Sequence, residues 1–208
     1  MSEPRRKIFV HLTQSKSQRT AAILFCLCLL PLAAMAKGIG FGGEIGVWKP
    51  SDLDRYPSRP LKNVDGAKPY LGGNLILPIY KSHVFRLSFS EWRQKNIVQL
   101  DSASVALDQL AFDLKYLLLP PVSISPYVSY GASVFWSRQT PKNQNTARTH
   151  LERPGWGFEV GAGIDFLIGK TLSWGVEYQY LYAKFIKRIG LTNNYSGPRV
   201  SMRLSWFF

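Results

Sequence analysis

Eight stretches of this 208-residue chain alternate bulky apolar residues with small or charged ones, and this two-residue period constrains the fold more than any other feature. The cleanest is the last. Val200, Met202, Leu204, Trp206 and Phe208 share one face, and Arg199, Ser201, Arg203 and Ser205 share the other. Successive side chains of a β-strand point to opposite faces, so such a segment is a strand with one oily and one polar side. Seven earlier segments repeat the pattern, starting with residues 38–48, where Ile39, Phe41, Ile45 and Val47 oppose Gly40, Gly42, Glu44 and Gly46. The others cover residues 70–79, 83–92, 105–118, 122–136, 156–166 and 172–180. Their apolar faces include Leu71 and Leu75, Phe85 and Phe89, Leu110 and Phe112, Val128 and Tyr130, Phe158 and Val160, and Val176 and Tyr178.

The connections alternate in length. Short ones lie at 80–82, 119–121 and 169–171, and long polar ones at 49–68, 93–104, 137–153 and 184–196. An even number of antiparallel strands joined by short turns at one rim and long loops at the other describes an up-and-down barrel. The face that points outward is decided by volume. An eight-stranded lumen is just wide enough for side chains. The Phe, Tyr, Trp and Leu faces overfill it, while the Gly, Ser and Ala faces fit. Aromatics also cluster at both ends of the apolar face: Trp136, Trp156 and Tyr182 near the long loops, and Tyr116, Phe166, Trp174, Trp206 and Phe208 near the turns. Two such girdles around an aliphatic belt match the two headgroup levels of a bilayer. The expected fold is therefore all-β: an eight-stranded antiparallel transmembrane β-barrel with short periplasmic turns and long extracellular loops.

The N-terminus points to export. Arg5, Arg6, Lys7, Lys16 and Arg19 precede an apolar run over residues 21–32 and the triplet Ala34-Met35-Ala36. This is the layout of a secretory signal peptide, with residues 1–36 removed and 37–208 left as the barrel domain. The run is shorter than the roughly 20 residues of a spanning helix. Cys26 and Cys28 both lie in the leader, so the mature chain has no disulfide, thiol catalyst or cysteine metal site. Taking five basic and one acidic side chain from the totals of 26 and 13 leaves 21 against 12, a net charge of +9.

The closing strand ending in Trp206 and Phe208 resembles that of bacterial outer-membrane β-barrels. The late segments, Gly157-Phe158-Glu159-Val160-Gly161-Ala162-Gly163-Ile164-Asp165 and Trp174-Gly175-Val176-Glu177-Tyr178-Gln179-Tyr180, are similar to those of the small Gram-negative barrels exemplified by the transmembrane domain of outer membrane protein A and the opacity-type surface proteins. The resemblance implies an outer-membrane location and places Trp206 and Phe208 in the signal read by the barrel-assembly machinery. It implies little about function.

Nine charged residues fall on the inward face: Glu44, Arg86, Asp113, Lys115, Glu159, Asp165, Glu177, Arg199 and Arg203. Isolated charges in a narrow lumen are costly, so they are expected to pair and plug the interior. Glu44 is expected to meet Arg199 or Arg203, because the first and last strands close the barrel. The long loops hold 14 basic and 5 acidic residues against 7 of each elsewhere, so the whole excess charge sits there. Arg138, Lys142, Arg148, Arg153, Lys184, Lys187 and Arg188 are the candidate contacts for lipopolysaccharide phosphates or an acidic surface ligand from a host. No nucleic-acid motif accompanies the high charge.

Chemistry is sparse. No metal-ligand spacing and no Gly-x-Ser-x-Gly elbow occurs, and no cofactor is expected. The outer-membrane deacylases resemble the chain in size and terminal Phe, but their His-x-Ser pair is missing, since His83 precedes Val84-Phe85 and His150 precedes Leu151-Glu152. A triad of His150, Glu152 and Ser137 or Ser196 is the one arrangement that would make this a lipid A-modifying enzyme. The expected function is that of a non-enzymatic surface barrel serving envelope integrity or adhesion, with an acyl hydrolase or acyltransferase and a narrow solute pore as the alternatives.

Overall fold

The computed structural model describes residues 38–52, 67–95, 102–119, 123–141, 151–189 and 192–208, so the expected signal peptide lies outside the described residues. Eight long strands form the wall: β1 (Gly40–Trp48), β2 (Lys68–Tyr80), β3 (His83–Lys95), β4 (Ser102–Leu117), β5 (Ile124–Pro141), β6 (Leu151–Ile168), β7 (Leu172–Ile189) and β9 (Gly197–Phe207). A three-residue strand, β8 (Thr192–Asn194), is the ninth element. Each long strand pairs antiparallel with its sequence neighbour. The β1–β9 ladder, in which Glu44 faces Arg203, and the β7–β9 ladder bring the ends together and close the barrel. Residues 38, 39 and 208 form a separate small unit, in which the Gly38 N–H donates to the Phe208 carbonyl at 2.7 Å and the Phe208 N–H to the Ile39 carbonyl at 3.0 Å.

The short connections are tight. Lys81 and Ser82 link β2 to β3, and Gly169, at φ +70°, opens the β6–β7 turn in a left-handed conformation that glycine adopts without strain. β4 ends at Leu117 and the described part of β5 begins at Ile124; the expected start at Val122 lies outside the described residues.

The larger departure from expectation is at the other rim. β5, β6 and β7 each run for 18 residues, well into segments expected to be loops, and β8 pairs with β7 inside the fourth of them. The reason lies on the inward side of these extensions. Trp48, Trp92, Phe135, Phe185 and Tyr195 form a closed cycle of ring contacts with centroids 5.4 to 6.2 Å apart, packed with Val105, Leu107, Leu181, Ala183 and Ile189. Burial of these side chains stabilises the strands beyond the length that lipid requires.

Two prolines part the wall at this rim. The β2–β3 ladder ends at Tyr70–Trp92, directly below Pro69, although β3 continues to Lys95. The β6–β7 ladder ends at Gly155–Phe185, below Pro154, although both strands continue. Proline has no N–H to donate, so it interrupts a ladder. The upper ends of β3, β4, β5 and β6 remain hydrogen-bonded to one another as a four-stranded extension.

Outside, Phe41, Ile45, Leu71, Phe89, Phe112, Phe158, Val160, Met202 and Leu204 are exposed as a continuous apolar belt. Exposed patches of this extent do not occur on soluble monomers. The belt is bordered by Trp156 against Tyr182 at one end and by Phe166 stacked on Trp174 at the other. Replacing Trp92 with Ala is expected to destabilise the detergent-folded barrel by about 3–5 kcal/mol in urea unfolding. Phe89→Ala, three residues earlier on the outward face, is expected to cost much less in the same assay.

Candidate functional site

Inward positions of an eight-stranded barrel are filled by side chains, and here the filling is stratified. Beneath the aromatic layer, Tyr70 donates its hydroxyl to Glu44 Oε1 at 2.5 Å and lies against the Arg199 guanidinium, 4.8 Å from ring centre to Cζ. Arg199 approaches Glu44 at 3.6 Å and Glu159 at 3.5 Å, and donates to the Gln109 and Gln179 carbonyl oxygens at 2.6 and 2.7 Å.

At the next level, Arg86 bridges Asp113 and Glu177, each at 2.7 Å, and all three side chains are fully buried. Arg203 shares Glu177 and also donates to the Tyr127 hydroxyl, and Ser129 donates to the same glutamate. Lowest, toward the short turns, Lys115 pairs with Asp165 at 2.5 Å and sits 3.7 Å from the Tyr127 ring centre. Asp165 is the most open member, with 23% of its side chain exposed.

All nine inward charges named from the sequence thus lie on the lumen side, in one network. Glu44 faces Arg203 in the ladder but makes its ion pair with Arg199. Small inward residues make the network fit. Gly131, Gly161, Gly163 and Gly175 stand where a Cβ would collide with Asp113, Gln179, Tyr127 and Asp165 respectively. The aromatic layer above is not among the features expected from the sequence. Its signal was the parity of Trp48, Tyr70, Trp92 and Phe135, which share the faces of Glu44, Asn74, Ser90 and Ser133.

The candidate contact residues divide into groups. Lys142 and Arg148 lie outside the described residues, as does His150. Arg138 is not a free cation: its guanidinium donates to Glu91 at 2.7 Å and to Asp108 at 2.8 Å, while Arg93 holds the same Glu91 at 2.8 Å. These four charges form a self-compensated cluster on the outer wall of β3, β4 and β5. Arg153 is also engaged, donating to the Arg188 carbonyl at 2.6 Å across the parted β6–β7 wall. Lys184, Lys187 and Arg188 are exposed on β7, with the Lys184 ammonium 5.3 Å from the Tyr182 ring centre.

The serines of the conceivable triad are placed against it. Ser137 is buried on the inward side and donates to the Arg153 carbonyl at 3.1 Å, and Ser196 donates to Asn194 Oδ1 at 2.6 Å. Among the described residues no group of three or more His, Cys, Asp or Glu could hold a metal ion.

A closed antiparallel barrel with a polar, charge-paired lumen and an apolar outer belt is a membrane-spanning barrel, because only closure satisfies every backbone group in lipid. Solved structures agree on the fold. The outer membrane protein OprG from Pseudomonas aeruginosa matches with a TM-score of 0.58 at 13% identity, covering 83% of this chain and 96% of that one. The N-terminal β-barrel domain of Pseudomonas aeruginosa OprF matches with a TM-score of 0.54 at 13% identity, covering 83% and 98%. Neisserial surface protein A gives 0.53 at 12%, covering 82% and 96%. No known protein family matches the sequence, and no curated protein sequence matches it. The chain has the fold of the small eight-stranded outer-membrane barrels.

Removing one partner of a buried ion network leaves uncompensated charge behind. Arg86→Met is therefore expected to cost about 3–5 kcal/mol in folding stability, since it strands Asp113 and leaves Glu177 with Arg203 alone. Arg93→Ala, at the exposed end of the outer-wall cluster, is expected to cost less than about 1 kcal/mol.

Proposed function

We propose that this protein is a non-enzymatic outer-membrane barrel whose basic extracellular rim binds anionic groups of the cell surface, the phosphates of lipopolysaccharide first among them. The observation that carries the reading is the exposed trio Lys184, Lys187 and Arg188 on β7, directly above the Trp156–Tyr182 girdle. Aromatic side chains sit at headgroup level, so Lys184, paired with Trp156 and two residues beyond Tyr182, stands among the lipid phosphates, and Lys187 and Arg188 follow five and six residues beyond Tyr182 toward the rim. The neighbouring Arg138 has its charge offset by two carboxylates, which concentrates the uncompensated field on β7. The same reading supports a role in envelope integrity, with host ligands as secondary occupants of the rim and β9 as the segment offered to the assembly machinery.

A narrow solute pore is the competing reading, and the aromatic layer speaks against it. Five rings in mutual contact cross the lumen above three levels of ion pairs. A lipid-modifying enzyme is the other alternative, and the engaged hydroxyls of Ser137 and Ser196 speak against the triad it would need.

The test is binding of the refolded barrel, in phosphatidylethanolamine liposomes, to added lipopolysaccharide. The variant Lys184→Glu/Lys187→Glu/Arg188→Glu is expected to bind roughly a hundredfold more weakly, from about 1 kcal/mol per surface cation, and the wild-type affinity should fall with added salt. Equal binding by the two proteins would sink the assignment. Lipid A from cells with and without the protein is expected to give identical mass spectra, and an acyl chain gained or lost would establish the enzyme instead.

A further inference from the structure

The charges below the aromatic layer do not balance. Among the described residues, five carboxylates (Glu44, Asp113, Glu159, Asp165, Glu177) face four cations (Arg86, Lys115, Arg199, Arg203), and all but Asp165 are buried. The pairing locates the excess. Lys115 compensates Asp165, and Arg86 and Arg203 together compensate Asp113 and Glu177. Arg199 alone is left with both Glu44 and Glu159, each at more than 3.4 Å. Glu44 has the Tyr70 hydroxyl as a further donor. Glu159 has no such help, and its Oε1 is buried with no hydrogen-bond partner.

A second buried carboxylate oxygen is orphaned in the same way, Asp113 Oδ1. The ladders place the two acids on one row. Asp113 pairs with Gly131 on β5, and Gly131 pairs with Glu159 on β6. The glycine between them has no side chain, and a Cβ there would collide with Asp113 Oδ1. The two acids therefore flank the glycine on the inward side of one row, with no side chain between them. Two facing carboxylates offer acceptors only, and a buried acceptor without a donor is costly. The buried amides of Gln109 and Gln179 also lack partners, but they are neutral and would leave the excess negative charge in place.

We propose that Asp113 and Glu159 bind a single monovalent positive charge across Gly131, either a proton or a small monovalent metal ion. It supplies the fifth positive charge that the lumen lacks and satisfies both orphaned oxygens at once. No cation of the lumen is left over for the pair. Arg86 on β3 is already committed to two carboxylates, Arg199 on β9 to two others, and Arg203 on β9 and Lys115 on β4 to the lower level. Tyr70 on β2 donates to Glu44 on β1, and Tyr127 on β5 and Glu177 on β7 are held by Arg203.

The test uses the barrel refolded in detergent. A proton shared by the pair gives the infrared carbonyl stretch of a protonated carboxyl in deuterated buffer at neutral pH, and a bound metal ion makes the melting midpoint higher in sodium chloride than in choline chloride of equal ionic strength. One of these two signals is expected from the wild type, and it should vanish in Glu159→Gln. The amide of that variant can donate to Asp113 Oδ1 itself, so its midpoint is expected at or above the wild-type value. Glu177→Gln, which takes a carboxylate from both Arg86 and Arg203, is expected to fall by roughly 10 °C. If the wild type shows neither signal, the proposal is overturned, whether or not Glu159→Gln refolds. A loss of stability in Glu159→Gln as large as in Glu177→Gln overturns it too, since that is the behaviour of an ordinary ion-pair partner of Arg199.

Discussion

Closure of the backbone ladder is the constraint on which the rest of this protein depends. A strand in hydrocarbon has no water to satisfy its N–H and C=O groups, so every edge must find a partner. The β1–β9 and β6–β7 ladders meet that requirement for the spanning part of the wall. Once eight strands close, the width of the lumen is fixed, and with it the size of what can fill it. The inward glycines and serines that make room for the arginines, tyrosines and ion pairs of the charged levels follow from that width.

The wall relaxes where the requirement lapses. Above the outer girdle water is present, and there two prolines end the β2–β3 and β6–β7 ladders while the strands themselves run on. The lumen at this height changes character as well, from ion pairs to packed rings. An aromatic layer stabilises the long extensions by burial, and it separates the charged levels from the extracellular side. Lipid dictates the geometry of the lower barrel, and packing against the inner rings dictates that of the rim.

Sequence reasoning captured the strand number, the inward and outward faces and all nine lumen charges, because each depends only on the two-residue period. It also placed Glu44 near the closing arginines. It misjudged the rim, where residues such as Arg138 and Lys184 looked like loop cations in a polar stretch and proved to be strand residues. Polar composition masked the alternation there: Trp92, Phe135 and Phe185 sit on the polar-face parity, a signal that becomes legible only once that face is known to point into the lumen. The compensation of Arg138 was invisible for a related reason. Glu91 and Asp108 come from two other strands, and their registers against β5 are set by the ladders.

What the chain determined by itself is therefore the class of object: alternation specifies strands, the volume of the apolar faces sends them outward, and the alternating lengths of the connections set the up-and-down order. The tertiary structure alone decided which charges meet. Arg199 takes Glu44 and Glu159, Arg86 takes Asp113 and Glu177, and Asp113 and Glu159 confront each other over Gly131. The physical reason is that face is a property of each residue's parity, whereas partnership in the lumen depends on strand register, and register is fixed only when all eight strands have closed.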